Sequence, residues 1–445
     1  MHTWYEQAVF YHIYPLGLLG AEKTNTLTET AHRLRDLETW IPHIRALNGS
    51  AIYIGPLFES STHGYDTRDF RLVDRRLGTN EDFAHFVQLC HENGIRVVVD
   101  GVFNHTGREF FAFQDIREKR EASPYKDWYR GVNFGWGSPL GDPFGYEAWQ
   151  GHFELPCLNL WNPDVRQYLF DSIRFWVDNF DIDGIRLDCA NVLDFGFMKE
   201  LREKTSAMKP DFWLMGEVIH GEYSRWVNPE MLHSVTNYEL HKALYSGHND
   251  HNYFEIAHNV RRLEAVGKSL YTFVDNHDED RIASKLNHLA NLFPVYQLLF
   301  TLPGIPSIYY GSEWRIEGKR SRTSDEVLRP ALTLSGMAGK APELISHIAV
   351  LGKIHAEHDA FHSGSYKELL LTNRQYAFSR SGEHGTLISA VNNDEQPASI
   401  SIPLPCAASD AVSLLPGEIP FSLENGRLSV TLPANGGAIF KLQEV

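Results

Sequence analysis

Four short apolar runs in this chain each break off in acidic or imidazole side chains. Val97-Val98-Val99 leads into Asp100, Asn104 and His105; Gly184-Ile185 into Arg186 and Asp188; Trp213-Leu214-Met215 into Gly216-Glu217; and Tyr271-Thr272-Phe273-Val274 into Asp275, His277 and Asp278. One carboxylate in such a place is commonplace, because it caps the next helix or pairs with an arginine. Several on one rim repel and desolvate one another, which raises the pKa of at least one and costs stability. Two carboxyls across a small gap with a third nearby suit cleavage of a glycosidic bond. One attacks the anomeric carbon, one protonates the leaving oxygen, and the third steadies the oxocarbenium-like transition state.

Such convergence needs a scaffold that brings distant strand ends together. Short β-branched or aromatic runs alternate with amphipathic stretches over about the first 350 of 445 residues, the pattern of repeated βα units around a parallel sheet. The strands read as Val9–Tyr14, Ala51–Ile54, Arg96–Asp100, Gly184–Asp188, Trp213–Glu217, Ser234–Asn237, Leu270–Val274 and Ser307–Tyr310. Eight such units make a (β/α)8 TIM barrel, whose working groups sit at the C-terminal ends of the strands. Thr79 with Asp82 reads as a capping box, and Asn162-Pro163 as a cap with proline at the first helical position. The predicted organisation is a catalytic barrel from residues 1–105 and 160–355, a small inserted domain at 106–159, and a C-terminal antiparallel β-sandwich at 356–445. The sandwich strands are expected at Tyr366–Thr372, Gln375–Ser379, Thr386–Asn392, Ala398–Pro403 and Arg427–Leu432, with Asn425-Gly426 in a hairpin turn. Seven aromatic residues, Trp128, Tyr129, Phe134, Trp136, Phe144, Tyr146 and Trp149, crowd the insertion. More than half are expected to form its core and a few to line a sugar cleft.

Composition narrows the partners. With 41 Lys and Arg against 57 Asp and Glu, the formal net charge is −16, unsuited to phosphate backbones and anionic membranes. No nucleic acid or membrane partner is expected, and no apolar run reaches the ~20 residues of a spanning helix. Met1-His2-Thr3-Trp4-Tyr5-Glu6 carries no signal-peptide pattern, so a cytoplasmic location is expected. Cys90, Cys157, Cys189 and Cys406 show no zinc spacing and read as reduced, packed thiols. His248 and His251, in Ser246-Gly-His-Asn-Asp-His-Asn252, read as solvated loop. Asp183 and Asp194 read as surface or capping residues.

Asp100-Gly-Val-Phe-Asn104-His105, Gly184-Ile-Arg186-Leu-Asp188, Gly216-Glu217-Val218 and Phe273-Val-Asp-Asn276-His277-Asp278 resemble, in order, the four signature regions of the α-amylase family of glycoside hydrolases. His63-Gly64-Tyr65-Asp66, Leu155-Pro156-Cys157-Leu158-Asn159 and Gly304-Ile305-Pro306 extend the resemblance over roughly residues 5 to 330. It implies Asp188 as nucleophile, Glu217 as general acid and then base, and Asp278 as transition-state stabiliser. Arg186 would orient Asp188, His105 and His277 would grip sugar hydroxyls, and Tyr65 would stack on the ring. His63, Asn191 and His220 complete the implied substrate-binding set, while Asp66 and Asp100 would hold the site. The resemblance also carries Ca2+ as an option, with Asn104 as one ligand; the mechanism itself requires no cofactor or metal.

Pro156-Cys157-Leu158-Asn159 and Asp188-Cys189-Ala190-Asn191 are most similar to the neopullulanase and cyclomaltodextrinase group, from which Val192 departs where an acid is usual. The expected function is retaining hydrolysis of α-glucosidic, mainly α-1,4, bonds in maltooligosaccharides. The alternatives are transfer to a sugar acceptor, α-1,6 cleavage, and a non-catalytic amylase-like protein. An unrelated phosphate-binding barrel would need more than Gly311-Ser312-Glu313 after its last strand. Oligomeric state is left open.

Overall fold

The computed structural model describes residues 3–322 and 324–445. Eight parallel strands form the central sheet: Phe10–Ile13, Ala51–Ile54, Arg96–Gly101, Gly184–Leu187, Trp213–Gly216, Ser234–Val235, Tyr271–Phe273 and Ile305–Tyr309. They are called here the first to eighth barrel strands. Each expected strand is present. Neighbours pair in cyclic order, and the sixth and seventh close the ring through one parallel bridge, Thr236 to Tyr271, with the Asn237 N–H donating to Tyr271 O at 2.8 Å. Nearly every strand residue is buried on both faces, as a parallel barrel enclosed by helices requires.

Local signals explain the helices that hold the strands. Thr79 and Asp82 form a reciprocal capping box on Asn80–Glu92, and Phe83, Phe86, Val87 and Cys90 are its buried face. The Asn162 side chain accepts from the Asp164 and Val165 N–H groups at the start of Pro163–Phe180. Asp194 caps Phe195–Met208 as expected. Asp183, by contrast, is no surface residue: it is 1% exposed and bonded to Arg96, His91 and the Val97 N–H.

His248 also departs from expectation. It is fully buried inside the helix Tyr238–Asn249, its Nδ1 on Leu244 O and its Nε2 3.1 Å from Tyr253 Oη. Gly247, with no side chain, lets the helix Tyr253–Arg262 approach: a Cβ there would lie 3.1 Å from Ile256. His251 lies just beyond, against Asn393 of the C-terminal region.

Between the third and fourth barrel strands the chain forms a helix, Phe111–Lys119, and a hairpin, Ala148–Trp149 with His152–Pro156. Trp128, Tyr129, Phe144 and Tyr146 are buried there, whereas Trp136 is exposed. The C-terminal region is two packed antiparallel sheets of five and three strands. Ala408–Ser413, Phe421–Glu424 and Gly436–Glu444 are strands that the sequence pattern missed. No described helix is long and apolar enough to cross a membrane.

Candidate active site

The C-terminal ends of the third, fourth and fifth strands place four charged side chains around one point. Arg186 and Asp188 alternate by two along the fourth strand and so share a face. The Arg186 guanidinium, 3% exposed, reaches Asp188 Oδ1 and Asp100 Oδ1 at 2.9 Å and Glu217 Oε1 at 3.0 Å. One arginine thus serves three carboxylates. A carboxylate oxygen of Asp188 and one of Glu217 lie within 4.8 Å of each other. Gly216, just before Glu217, permits this closeness, since a Cβ there would lie 2.7 Å from that of Ala190.

Unequal environments separate the acids. Burial raises Glu217 to about 7; Arg186 opposes that shift, while Asp188 and Asp278 add to it. Asp100 is also raised, mainly by burial, and accepts from the Tyr53 and Tyr65 hydroxyls at 2.8 and 3.2 Å. Burial alone would raise Asp278, but His277, Arg329 and Arg186 outweigh it and hold its carboxyl far below the ordinary range. Asp278 is the most open of the three candidate catalytic acids, its side chain 35% exposed against 9% for Asp188 and 11% for Glu217.

Asp278 is fixed from two sides. Arg329 Nη2 donates to its Oδ1 at 2.8 Å and also to Asp325 at 2.7 Å, while Arg329 Nε donates to His277 O. His277 Nε2 lies 3.0 Å from Asp278 Oδ2 and 2.6 Å from the Tyr65 hydroxyl. The Tyr65 and His277 rings stack at 5.8 Å. Across the site His105, lowered by burial, lies nearly parallel to Trp149 at 6.3 Å. His105 Nε2 and His277 Nδ1 are buried without a protein hydrogen-bond partner.

Asp188, Glu217, Asp278, Arg186, His105, His277 and Tyr65 are therefore brought together. His63 stands more exposed on the hairpin loop between Phe58–Ser60 and Thr67–Val73, its Nδ1 taking the Tyr65 N–H. Asp66 holds that loop through Thr62. Asn191 and His220 are exposed on the loops after the fourth and fifth strands, outside the hydrogen-bonded cluster. Cavities of about 670 and 530 Å³ open beside the cluster, one bounded by His63, Arg108 and Arg320, the other by His220, Tyr238 and Glu279.

Calcium takes six to eight oxygens; at Asn104 the backbone carbonyl accepts from the Leu158 N–H and the side-chain Nδ2 faces His105 Nδ1, which leaves the side-chain oxygen as what this residue could offer such an ion. Among the described residues the only grouping of three His, Cys, Asp or Glu ligand atoms is Asp188, Cys189 and Glu217.

Residues 25–339 match the α-amylase catalytic domain. The chain belongs to the α-amylase family. It is 29% identical to a cyclomaltodextrinase of Geobacillus thermopakistaniensis over 99% of this chain and 78% of that one. An intracellular maltogenic amylase of Bacillus subtilis is 31% identical over 63% of this chain and 48% of its own. The debranching enzyme of Nostoc punctiforme superposes with a TM-score of 0.85 at 27% identity, covering 99% of this chain and 100% of that chain. With an α-amylase catalytic domain and relatives named as glycoside hydrolases, the chain is a glycoside hydrolase. Sequence reasoning missed Arg329, Tyr53 and Cys189 at its site. Asp325 and Arg329, four residues apart just past the eighth strand, were the available signal for the first.

Proposed function

We propose that this enzyme hydrolyses α-glucosidic bonds, mainly α-1,4, with retention of configuration, through a covalent intermediate on Asp188. The observation that carries the reading is the closeness of the Asp188 and Glu217 carboxylates. Retaining glycosidases hold this pair roughly 5–5.5 Å apart, whereas inversion needs roughly 6.5–9.5 Å to seat a water.

Asp188, held by Arg186, attacks C1 of the glucosyl unit. Glu217 is protonated below pH about 7 and gives that proton to the departing oxygen. It then takes a proton from the water that displaces Asp188. The permanently ionised Asp278 opposes the positive charge at the ring in both transition states. Tyr65 offers its face to the sugar, and the unpartnered His105 Nε2 and His277 Nδ1 have hydrogen-bonding capacity left for bound hydroxyls or water. His63 would contact the sugar on one side of the cleavage point, and Asn191 and His220 on the leaving-group side. Substrates are neutral maltooligosaccharides, and the mechanism needs no metal or organic cofactor. A relative named an intracellular maltogenic amylase favours a cytoplasmic location.

The likeness to a debranching enzyme keeps α-1,6 cleavage as the second reading. Products from maltotriose, β-cyclodextrin, pullulan, isomaltose and sucrose distinguish the linkages, and NMR of the first product reads the anomer. Release of α-maltose or α-glucose is expected from maltotriose; a β-anomer as first product would exclude retention.

A further inference from the structure

Cys189 follows Asp188 in the turn at the end of the fourth barrel strand, and its backbone is left-handed, with φ 50° and ψ 39°. L side chains enter that region at a cost, and residues held there concentrate at functional sites. This conformation points the Cys189 N–H at Glu217 Oε2, 3.0 Å away, and brings Sγ to 3.1 Å from Asp188 Oδ2. One residue touches both reacting carboxylates. Arg186 already serves Asp188 Oδ1, so the thiol is the partner of the other oxygen. Burial first, then the charges of Asp188 and Glu217, push the thiol upward. It stays protonated, a donor and not a nucleophile.

We propose that Cys189 is a positioning residue for the hydrolase reaction, its S–H donating to Asp188 Oδ2 while its N–H holds Glu217 Oε2. This rests on the reading of Asp188 as nucleophile and Glu217 as acid. In the first step the C1–Oδ bond forms, the glycosidic bond breaks and the Glu217 proton leaves with the departing oxygen. Charge on Asp188 disperses, and the S–H···O hydrogen bond to it weakens. In the second step water oxygen bonds to C1 as the C1–Oδ bond breaks, a water proton goes to Glu217, and the charge returning to Asp188 restores the S–H···O hydrogen bond. No proton passes through sulfur. The thiol therefore favours the ionised nucleophile before attack and its departure afterwards. The other charged groups around the pair are Arg186 on the same strand, Asp100 and His105 from the third strand and its loop, Glu217 from the fifth, and Asp278 beyond Glu217.

The test is kcat/KM and kcat against pH for Cys189→Ala, Cys189→Gly and Cys189→Ser, with Tm measured beside them. Losing the donor should move the acid limb of kcat/KM up by about half a pH unit and lower kcat about threefold. Serine, a better donor, should return the limb to the wild-type position or below it. Glycine lacks the side chain and adopts the left-handed backbone freely, so it gives a folded comparison if alanine does not fold. Limbs that coincide in the wild type, glycine and serine enzymes would overturn the proposal, whatever happens to Tm. Asp188→Asn tests the underlying reading separately: turnover lost there with unmoved limbs in the Cys189 series sinks only the role of the thiol.

Discussion

The fourth barrel strand carries a buried carboxylate at each mouth of the barrel, and the two are treated in opposite ways. At the lower mouth Asp183 receives Arg96, His91, Lys209 and the Val97 N–H, with the exposed Asp181 sharing only Lys209 and His91. Burial would raise it, but those partners hold it at about 2. At the upper mouth Asp188, Asp100 and Glu217 divide one arginine, and Glu217 rises to about 7. Surplus positive charge marks a site that stabilises the fold, and surplus negative charge marks one that stability alone would not build. Net burial is similar at both ends, so the balance of partners separates them.

The contrast is broken most severely at Asp188. Asp188→Asn should lower kcat on maltotriose by about 10⁴-fold or more, while Tm holds or rises because a like charge has gone. A Tm fall of several degrees with turnover retained would reverse the assignment of the two mouths. Next in size, Arg329→Lys replaces a fork that bridges Asp278 and Asp325 with a point charge. A fall in kcat/KM of about a hundredfold is expected, and an unchanged value would remove Arg329 from the site's support.

Asp183→Asn should cost roughly 3 kcal/mol in denaturant unfolding and leave kcat per folded enzyme unaltered. The signs of the two pH effects differ and sharpen the contrast. Asp183 is depressed from an ordinary value near 3.9, so its contribution is complete above that pH and is lost as pH falls through about 2. Glu217 is raised, so the native state holds its proton longer than the unfolded chain and stability declines as pH climbs from about 4.3 toward 7. The smallest effect follows from this: Glu217→Gln should flatten Tm between pH 5 and 7, and the wild-type kcat/KM should fall above about pH 7 as the acid ionises. A wild-type alkaline limb beyond pH 9 would contradict the raised Glu217.

The upper mouth was legible in the sequence because each of its strands ends abruptly in the groups it presents, with Arg186 and Asp188 two apart on one face. Arg329 was not, because its partner Asp278 lies 51 residues away and only the fold joins them. Cys189 looked like a packed thiol, and it is buried; its bond to Asp188 depends on a left-handed backbone that the residue type does not announce. In the tail, Ala408–Ser413 and Gly436–Glu444 escaped notice; the first carries Asp410 and the second opens on paired glycines, residue types depleted in strands. They become strands by pairing with each other across the five-stranded sheet. His248 was misread because the helix that buries it, Tyr238–Asn249, was not recognised in the sequence.

The ring of eight strands is sealed between the sixth and seventh by one parallel bridge, to which the Asn237 N–H to Tyr271 O bond belongs, with the Asn276 amide clasping the Tyr238 hydroxyl at 3.0 Å above it. Glu217 stands on one bank of that seam and Asp278 on the other. Breathing of the cylinder should concentrate along this line, and amides of Thr236 and Asn237 should exchange with solvent deuterium sooner than those of the fully laddered third and fourth strands. With the Asn276–Tyr238 hydrogen bond and few backbone bonds across the seam, the gap proposed for the sugar has room to widen around its substrate without unzipping any ladder.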